Sequence, residues 1–501
     1  MPDTLAAGAL ASERNLSVAI SFALYIGVTF LLAWLAHRKA RGQRFLEEFF
    51  VAGRGIGAWV LALTWVATMA SGGTFIGAPA LAWQNGWTAH LWVAGFMVLT
   101  FTGMGILGKR IAFLGAATGA MTMPDLIRDR FESRGLGTIL AIITLLLYVA
   151  YLVAQYIAGA RVMEVALGMP YWAGLLLVSL TVTLYTAWGG FRAVAWTDAF
   201  QAIVMLLGIL LTLGFALHKA GGFTPISAYL AAQSPELLAP PGPENFLPLS
   251  QALSFFVVWP LAVLGQPALM SRFLSSGDPR VLSKATLING LYVLLLYPAI
   301  MTLGIIGRYL APGIAMPDQA MPATIVAAVP TWLAGLVLAA PFAAIMSTIS
   351  SFLLVTGSAI VRDLYHRNLD HALSDRKAQL LSQGTTFLIG ALALGIAFRP
   401  PEYLQYIVIF SATGLASTFI APTMLAVFWP RATRVGAYAA LCGGFGSFAL
   451  QYALYGTRSW LNLDPFVWSL SLSFLCGILA SYATPPQRAE LRNAWFGDSE
   501  A

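Results

Sequence analysis

Asp198 stands a few residues inside a long apolar stretch, just after the run Tyr185-Thr186-Ala187-Trp188-Gly189-Gly190-Phe191-Arg192. At the centre of a bilayer helix an Asp costs on the order of 2.5 to 3.5 kcal/mol by insertion scales, so such a carboxylate faces a partner, a cation or a water-filled cavity. A second group of oxygens lies in Ala343-Ala344-Ile345-Met346-Ser347-Thr348-Ile349-Ser350-Ser351. Adjacent helical positions point about 100° apart, so the hydroxyls of Ser347 and Thr348 reach one small ion only if it sits against that face. The competing reading is that Ser and Thr in membrane helices bond back to their own backbone or pack against neighbours. A third source is Ala70-Ser71-Gly72-Gly73. An unwound turn there frees carbonyls that a regular helix keeps for itself, and such oxygens suit a cation like Na+.

These groups need elements to hold them, and the pattern predicts an all-α integral membrane protein. Taking about 20 apolar residues per crossing, spans are predicted near 16–36, 57–82, 87–108, 136–163, 170–188, 194–218, 249–270, 284–307, 331–361, 378–397, 402–428, 434–455 and 465–483. That makes about thirteen transmembrane helices. Two are interrupted: the second by Ser71-Gly72-Gly73 and Pro79, the seventh by Trp259-Pro260 and Gly265-Gln266-Pro267. Five is odd, so helices 2–6 and 7–11 form two units of opposite topology, each opening with a broken helix. That is the mark of an inverted-repeat transporter with its site between the breaks. The expected division is 1–56 as the first helix and its loop, 57–428 as the transport core, and 429–501 as two further helices and a tail. Within the core the repeats run about 57–218 and 249–428.

Where the breaks meet, Ser71, Thr74, Gln155, Trp259, Gln266 and Pro267 are the candidates to bind a solute, with Tyr403 and Tyr406 closing over it from outside. A carboxylate there can be held by freed backbone N–H groups and the positive end of a half-helix, without a buried arginine. Singly, Gln155 bonding to a neighbouring helix and tyrosines in an interfacial belt are equally good accounts.

Of 501 residues 58% are hydrophobic and only 10% charged, against about 25% charged in soluble domains. The net charge of +7 does not indicate nucleic acid, because the basic residues lie in short loops between apolar spans rather than on one stripe. Cys442 and Cys476 stand inside apolar spans and read as small buried hydrophobes, not a disulfide framework. The first span is of full bilayer length, so no cleavable signal peptide is expected. Met123 to Arg134 mixes apolar and charged residues as an interfacial helix would. Alternate loops carry 22 and 6 of the 28 Lys and Arg, which puts the amino terminus outside and the carboxyl terminus in the cytoplasm. Motifs for a phosphate-cradling loop, a His-Glu-x-x-His metal site and a Gly-x-Ser-x-Gly nucleophile are absent, so neither an ATP-driven pump nor an enzyme is expected.

The strings Tyr185-Thr186-x-x-Gly189-Gly190-Phe191-x-Ala193 with Trp196-Thr197-Asp198, Gly265-Gln266-Pro267 with Arg272-Phe273, and Met346-Ser347-Thr348 with Arg362-Asp363-Leu364-Tyr365 resemble the sodium:solute symporter family. The likeness runs from about Glu47 to Pro430 in matching order. It implies a leucine-transporter-like five-plus-five fold with extra helices at both ends, and Na+-driven uptake across the plasma membrane. Other than Na+ as coupling ion, it implies no cofactor; the partners are a small solute and membrane lipid. By resemblance, the sodium site uses carbonyls of Ala67, Ala70 and Ala344 with the hydroxyls of Ser347 and Thr348, and Asp198 lies on the inner sodium path. Met69 departs from the pattern, since some members carry an acidic residue there. Gly105-Ile106-Leu107-Gly108-Lys109-Arg110, Gly159-Ala160-Arg161 and Ala340-Pro341-Phe342 resemble the sodium/pantothenate symporters within the family. Pantothenate is therefore the expected solute. Proline, a monocarboxylate or proton coupling on the same fold are the alternatives.

Overall fold

The computed structural model describes residues 2–39, 45–400, 404–457 and 459–497, and its regular elements are helices. In hydrocarbon every backbone N–H and C=O must find a partner inside the protein, which a helix supplies by itself. The elements that matter for the site are α1 (Pro2–Lys39), α2 (Ala58–Met69), α3 (Gly73–Val93), α4 (Met123–Phe131), α5 (Arg134–Leu167), α6 (Tyr171–Ala220) and α7 (Leu249–Leu264). They are followed by α8 (Pro267–Leu274), α9 (Pro279–Leu310), α10 (Thr331–His366), α11 (Asp375–Ala397), α12 (Leu404–Phe428) and α13 (Pro465–Tyr482).

The count of thirteen is not reproduced among the described residues. Eight helices are long and apolar enough to cross a bilayer, or ten when each of two bent pairs counts as one span. The spans predicted near 87–108 and 434–455 are cut into short pieces by π-helical turns at Gly103–Gly108 and Cys442–Gly446. Those predicted at 170–188 and 194–218 are one run, α6, with non-helical backbone only at Gly190.

Both predicted breaks are real. α2 and α3 meet at 58°, and α7 and α8 at 49°. The first bend sits at Ala70, whose ψ of 93° is extended rather than helical. Gly72 lets the opened chain press against α5: a Cβ there would lie 2.7 Å from Ala158 Cβ and 2.9 Å from Gln155 Oε1. The second bend falls at Gln266, ψ 116°, because the residue before a proline is pushed out of the helical region. Pro267 then takes the first turn of α8, where its missing N–H costs nothing. Pro260, read as part of the interruption, stays within α7.

α10 forms the axis of the bundle. Of its apolar window 94% is buried, against 28% for the span within α1 and 33% for α11, so the Ser347 and Thr348 hydroxyls face protein rather than lipid. α4 corrects another expectation. It is not spread on the membrane surface: Asp125 and Arg130 are buried, Thr122 caps its first turn by accepting from Asp125 N–H, and Asp125 pairs with Arg362 of α10 at 3.0 Å. Nor are both cysteines buried, since Cys442 is exposed.

Gly190 carries φ 61° and ψ −169°, a region open essentially to glycine, and a Cβ there would meet Phe49 Cδ2 at 2.8 Å. Gly190→Ala is therefore expected to destabilise the protein by about 1–3 kcal/mol and lower its melting temperature in detergent. Gly214→Ala, on the same helix with open space around it, is expected to leave the melting temperature unchanged.

Candidate functional site

Four of the five groups assigned to the ion meet between α2 and α10. Ser347 Oγ donates to Ala67 O at 2.8 Å and to Ala344 O at 3.0 Å. Thr348 Oγ1 donates to Ala344 O at 2.9 Å and to Thr68 O at 3.4 Å. The two hydroxyls therefore do share a face, and it is the face turned to α2. Ala70 sits at the break itself, its N–H still bonded to Val66 O. The result is a cluster of neutral oxygens, three of them main-chain carbonyls, each polarised by a hydroxyl proton that a small cation can displace. Oxygen-only surroundings of this kind suit a hard monovalent ion.

One helical turn further along α10 the chemistry changes sign. Ser351 Oγ bonds with Thr68 Oγ1 at 2.9 Å and accepts from Arg272 Nη2 at 2.6 Å. The same Arg272 nitrogen donates to Asp198 Oδ2 at 2.9 Å, and Thr64 Oγ1 donates to that carboxylate oxygen at 2.7 Å. Arg272 Nε and Nη1 are taken by Thr64 O at 3.1 Å and Ala268 O at 2.7 Å. Asp198 and Arg272 are both fully buried. The cost of the carboxylate is thus met by an ion pair, which Asp198 demanded and which the sequence reading missed by counting Arg272 as a loop cation. The signal was available, because a lone buried carboxylate needs a partner and Arg272 is the basic residue of the second broken helix. Asp198 Oδ1 keeps no hydrogen bond, so one oxygen stays available about one turn from the ion cluster.

The predicted solute residues divide. Ser71, Thr74, Trp259 and Gln266 line one central cavity of about 30 Å³ between the two breaks, with Trp92, Phe96, Tyr151 and Tyr297. Gln155 adjoins it: its Oε1 accepts the Gly72 N–H at 2.7 Å. Ser71 Oγ and Tyr151 Oη lie 3.4 Å apart, as do Thr74 Oγ1 and Tyr297 Oη, and Phe96 stacks between Trp259 at 4.7 Å and Tyr297 at 4.3 Å. Pro267 is elsewhere, lining a separate cavity with Arg272 and Ser351. Tyr406 lines a third cavity instead of the central one, and Tyr403 lies outside the described residues. Trp92, Phe96, Tyr151 and Tyr297 were not anticipated, because aromatic residues in apolar helices carry no pattern that separates a pocket wall from core.

The free N–H groups expected at the breaks are already spent. Gly72 N–H goes to Gln155, Gly73 N–H to Ser71 Oγ at 3.1 Å, and Ala268 N–H to Tyr148 Oη at 2.9 Å. Of the residues that line or adjoin this cavity, Trp92 Nε1, Trp259 Nε1 and Gln155 Nε2 are buried donors without a partner. No charged residue lines the cavity among those described. Such a wall suits a solute rich in hydrogen-bond acceptors. Room for about two waters means that a larger solute enters only when the helices move.

Two broken helices that meet, an oxygen cluster beside them and a cavity between them are the arrangement of a cation-coupled secondary transporter of the leucine-transporter-like fold. The fold is that of a Na+-coupled sialic acid symporter, matched with a TM-score of 0.76 at 19% identity over 95% of this chain and 99% of that one. The chain belongs to the sodium:solute symporter family, whose model matches residues 49–444. It is 34% identical to the sodium/pantothenate symporter of Escherichia coli K12 over 93% of this chain and 96% of the relative. It is 32% identical to that of Haemophilus influenzae over 87% and 90%. The protein is thus a multi-pass membrane Na+-coupled solute symporter, a transporter and not an enzyme.

Removing one member of a buried ion pair strands the other, at about 3–5 kcal/mol. Arg272→Ala is expected to lose that much stability, and adding Asp198→Ala is expected to recover part of it. Thermal unfolding of the two single variants and the double variant measures the coupling.

Proposed function

We propose that this protein imports pantothenate with Na+ across the inner membrane. The observation that carries the reading is the pairing of a neutral oxygen cluster at Ser347 and Thr348 with an adjacent cavity whose spare groups are neutral donors. Pantothenate offers a carboxylate, an amide and hydroxyls as acceptors, and the name of the most similar relatives supports the choice. In this reading Na+ is held by the carbonyls of Ala67, Ala70 and Ala344 with both hydroxyls, and leaves past Asp198. Ser71, Thr74, Gln155, Trp259 and Gln266 bind the solute together with Trp92. Pro267 shapes the second break rather than touching solute. Residues 57–428 are the transport core, built of the repeats 57–218 and 249–428. The amino terminus is outside and the carboxyl terminus cytoplasmic, as the 22-to-6 split of basic residues supports. The cavity bearing Tyr406 then opens outward.

Proteoliposomes test this directly. Labelled pantothenate is expected to accumulate under an inward Na+ gradient, and unlabelled pantothenate to compete better than proline, short monocarboxylates or sugars. Accumulation that follows a proton gradient and ignores Na+ would overturn the coupling; stronger competition by another member of the panel would overturn the solute. Replacing both Ser347 and Thr348 by Ala is expected to raise the Na+ concentration for half-maximal uptake about tenfold or more, equivalent to about 1.4 kcal/mol of lost ion binding. Asp198→Asn is expected to weaken Na+ dependence. Trp259→Ala is expected to raise the solute KM while leaving Na+ half-saturation within about twofold; the reverse pattern would move the solute pocket elsewhere.

A further inference from the structure

A cavity of about 230 Å³ lies above the central one, walled by α3, α7, α12 and the start of α13. Trp92 lines both chambers and stacks on Phe255 with ring centroids 3.9 Å apart, so it forms the partition between them. The outer chamber is oxygen-rich. Asp464, Gln251, Gln84, Thr457 and Tyr406 are its polar residues, and no basic residue lines it among those described.

Two of these side chains are buried and fixed in place. Asp464 is 2% exposed; its Oδ1 caps α13 by accepting the Phe466 N–H at 2.9 Å, and its own N–H is held by Ser254 Oγ of α7 at 3.3 Å. One carboxylate oxygen is spent on that cap and the second is not. Gln251, on the same α7, is 4% exposed, and its Oε1 has no hydrogen-bond partner. Leaving a buried amide oxygen without a partner is costly, and burial pushes the Asp464 carboxyl up to about 7, so ionising it is costly as well. A bound cation relieves both costs at once. An anionic solute, by contrast, meets a carboxylate with no counter-charge among the described residues that line the chamber.

We propose that Asp464 and Gln251 form a second monovalent-cation site, in the outer chamber, where Na+ is captured before it reaches Ser347 and Thr348. The inference rests on the reading above that this face is external and that Na+ drives uptake. Its position explains what the site does: Gln251 and Ser254 stand on the broken helix that carries Trp259, and Asp464 stands on α13. An ion between them ties the moving helix to the surrounding bundle while the central site loads.

The test uses Asp464→Ser, which keeps an oxygen to cap α13 while removing the charge, and Gln251→Leu, which removes the amide. In sided proteoliposomes each is expected to raise the external Na+ needed for half-maximal uptake, by about fivefold for the charge and by a smaller factor for the amide. Maximal rate and solute KM at saturating Na+ are expected to stay within about twofold of the parent. Purified Asp464→Ser is expected to bind one radiolabelled sodium ion fewer per chain than the parent protein, and adding Asp464→Ser to the Ser347→Ala, Thr348→Ala variant is expected to remove one further ion. Unchanged Na+ half-saturation and unchanged ion binding in Asp464→Ser would overturn the site and leave Asp464 as a helix cap alone. A raised solute KM with Na+ unaffected would also overturn it, making the chamber a solute site. If the parent protein shows no Na+ activation, the Na+-coupled reading falls and this inference with it.

Discussion

A peptide group released from its helix inside a membrane has no water to turn to, and the whole site is organised around two places where this happens. At the first break, the carbonyls of Ala67 and Thr68 are met by Ser347 and Thr348, and the N–H of Gly72 by Gln155. At the second, the N–H of Ala268 is met by Tyr148. Each partner comes from a long straight helix, α5 or α10. The broken helices are therefore held through the polar groups that make them useful. On the proposed reading, a cation that takes over the carbonyls at Ala67 and Ala344 also takes over part of the contact between α2 and α10.

The Asp198–Arg272 pair is the second anchor. Through Thr64, Ala268 and Ser351 it joins α2, α6, α8 and α10 at one point. A buried pair is weak evidence for stability in itself, because desolvation cancels much of the attraction. Its value here is geometric. It sets both broken helices against α10 one turn from Ser347, and it leaves Asp198 Oδ1 unbonded. Further in, Asp125 and Arg362 close α4 against the end of α10.

Three chambers along this line differ in character. The outer one is wide and carries a carboxylate, the central one is small, neutral and aromatic with spare donors, and the inner one holds the guanidinium of Arg272. On the proposed reading, cation and acceptor-rich solute are drawn to different surfaces. Helix movement that enlarges the central cavity must separate Trp92 from Phe255 or Phe96 from its neighbours, which makes the aromatic stack the natural partition between the two sides.

Much of this was legible in the residues alone. Apolar run lengths marked the helices, because a bilayer fixes how many residues a crossing needs, and Gly and Pro placed both breaks, because backbone dihedrals are local. Type and neighbourhood singled out the Ser347 and Thr348 hydroxyls, and the structure turns both to α2. Local pattern failed where the answer depended on a distant segment. It could not tell that Pro267 and Trp92 line different cavities, or that Gln155 spends its oxygen on Gly72. Nor could it show that α4 is buried or that Cys442 is not. Chain chemistry determined which groups are costly to bury and where the helices open; only the packing of α2, α5, α8 and α10 decided which partner meets each cost, because a buried charge or an unpaired carbonyl constrains that it be satisfied without constraining by whom.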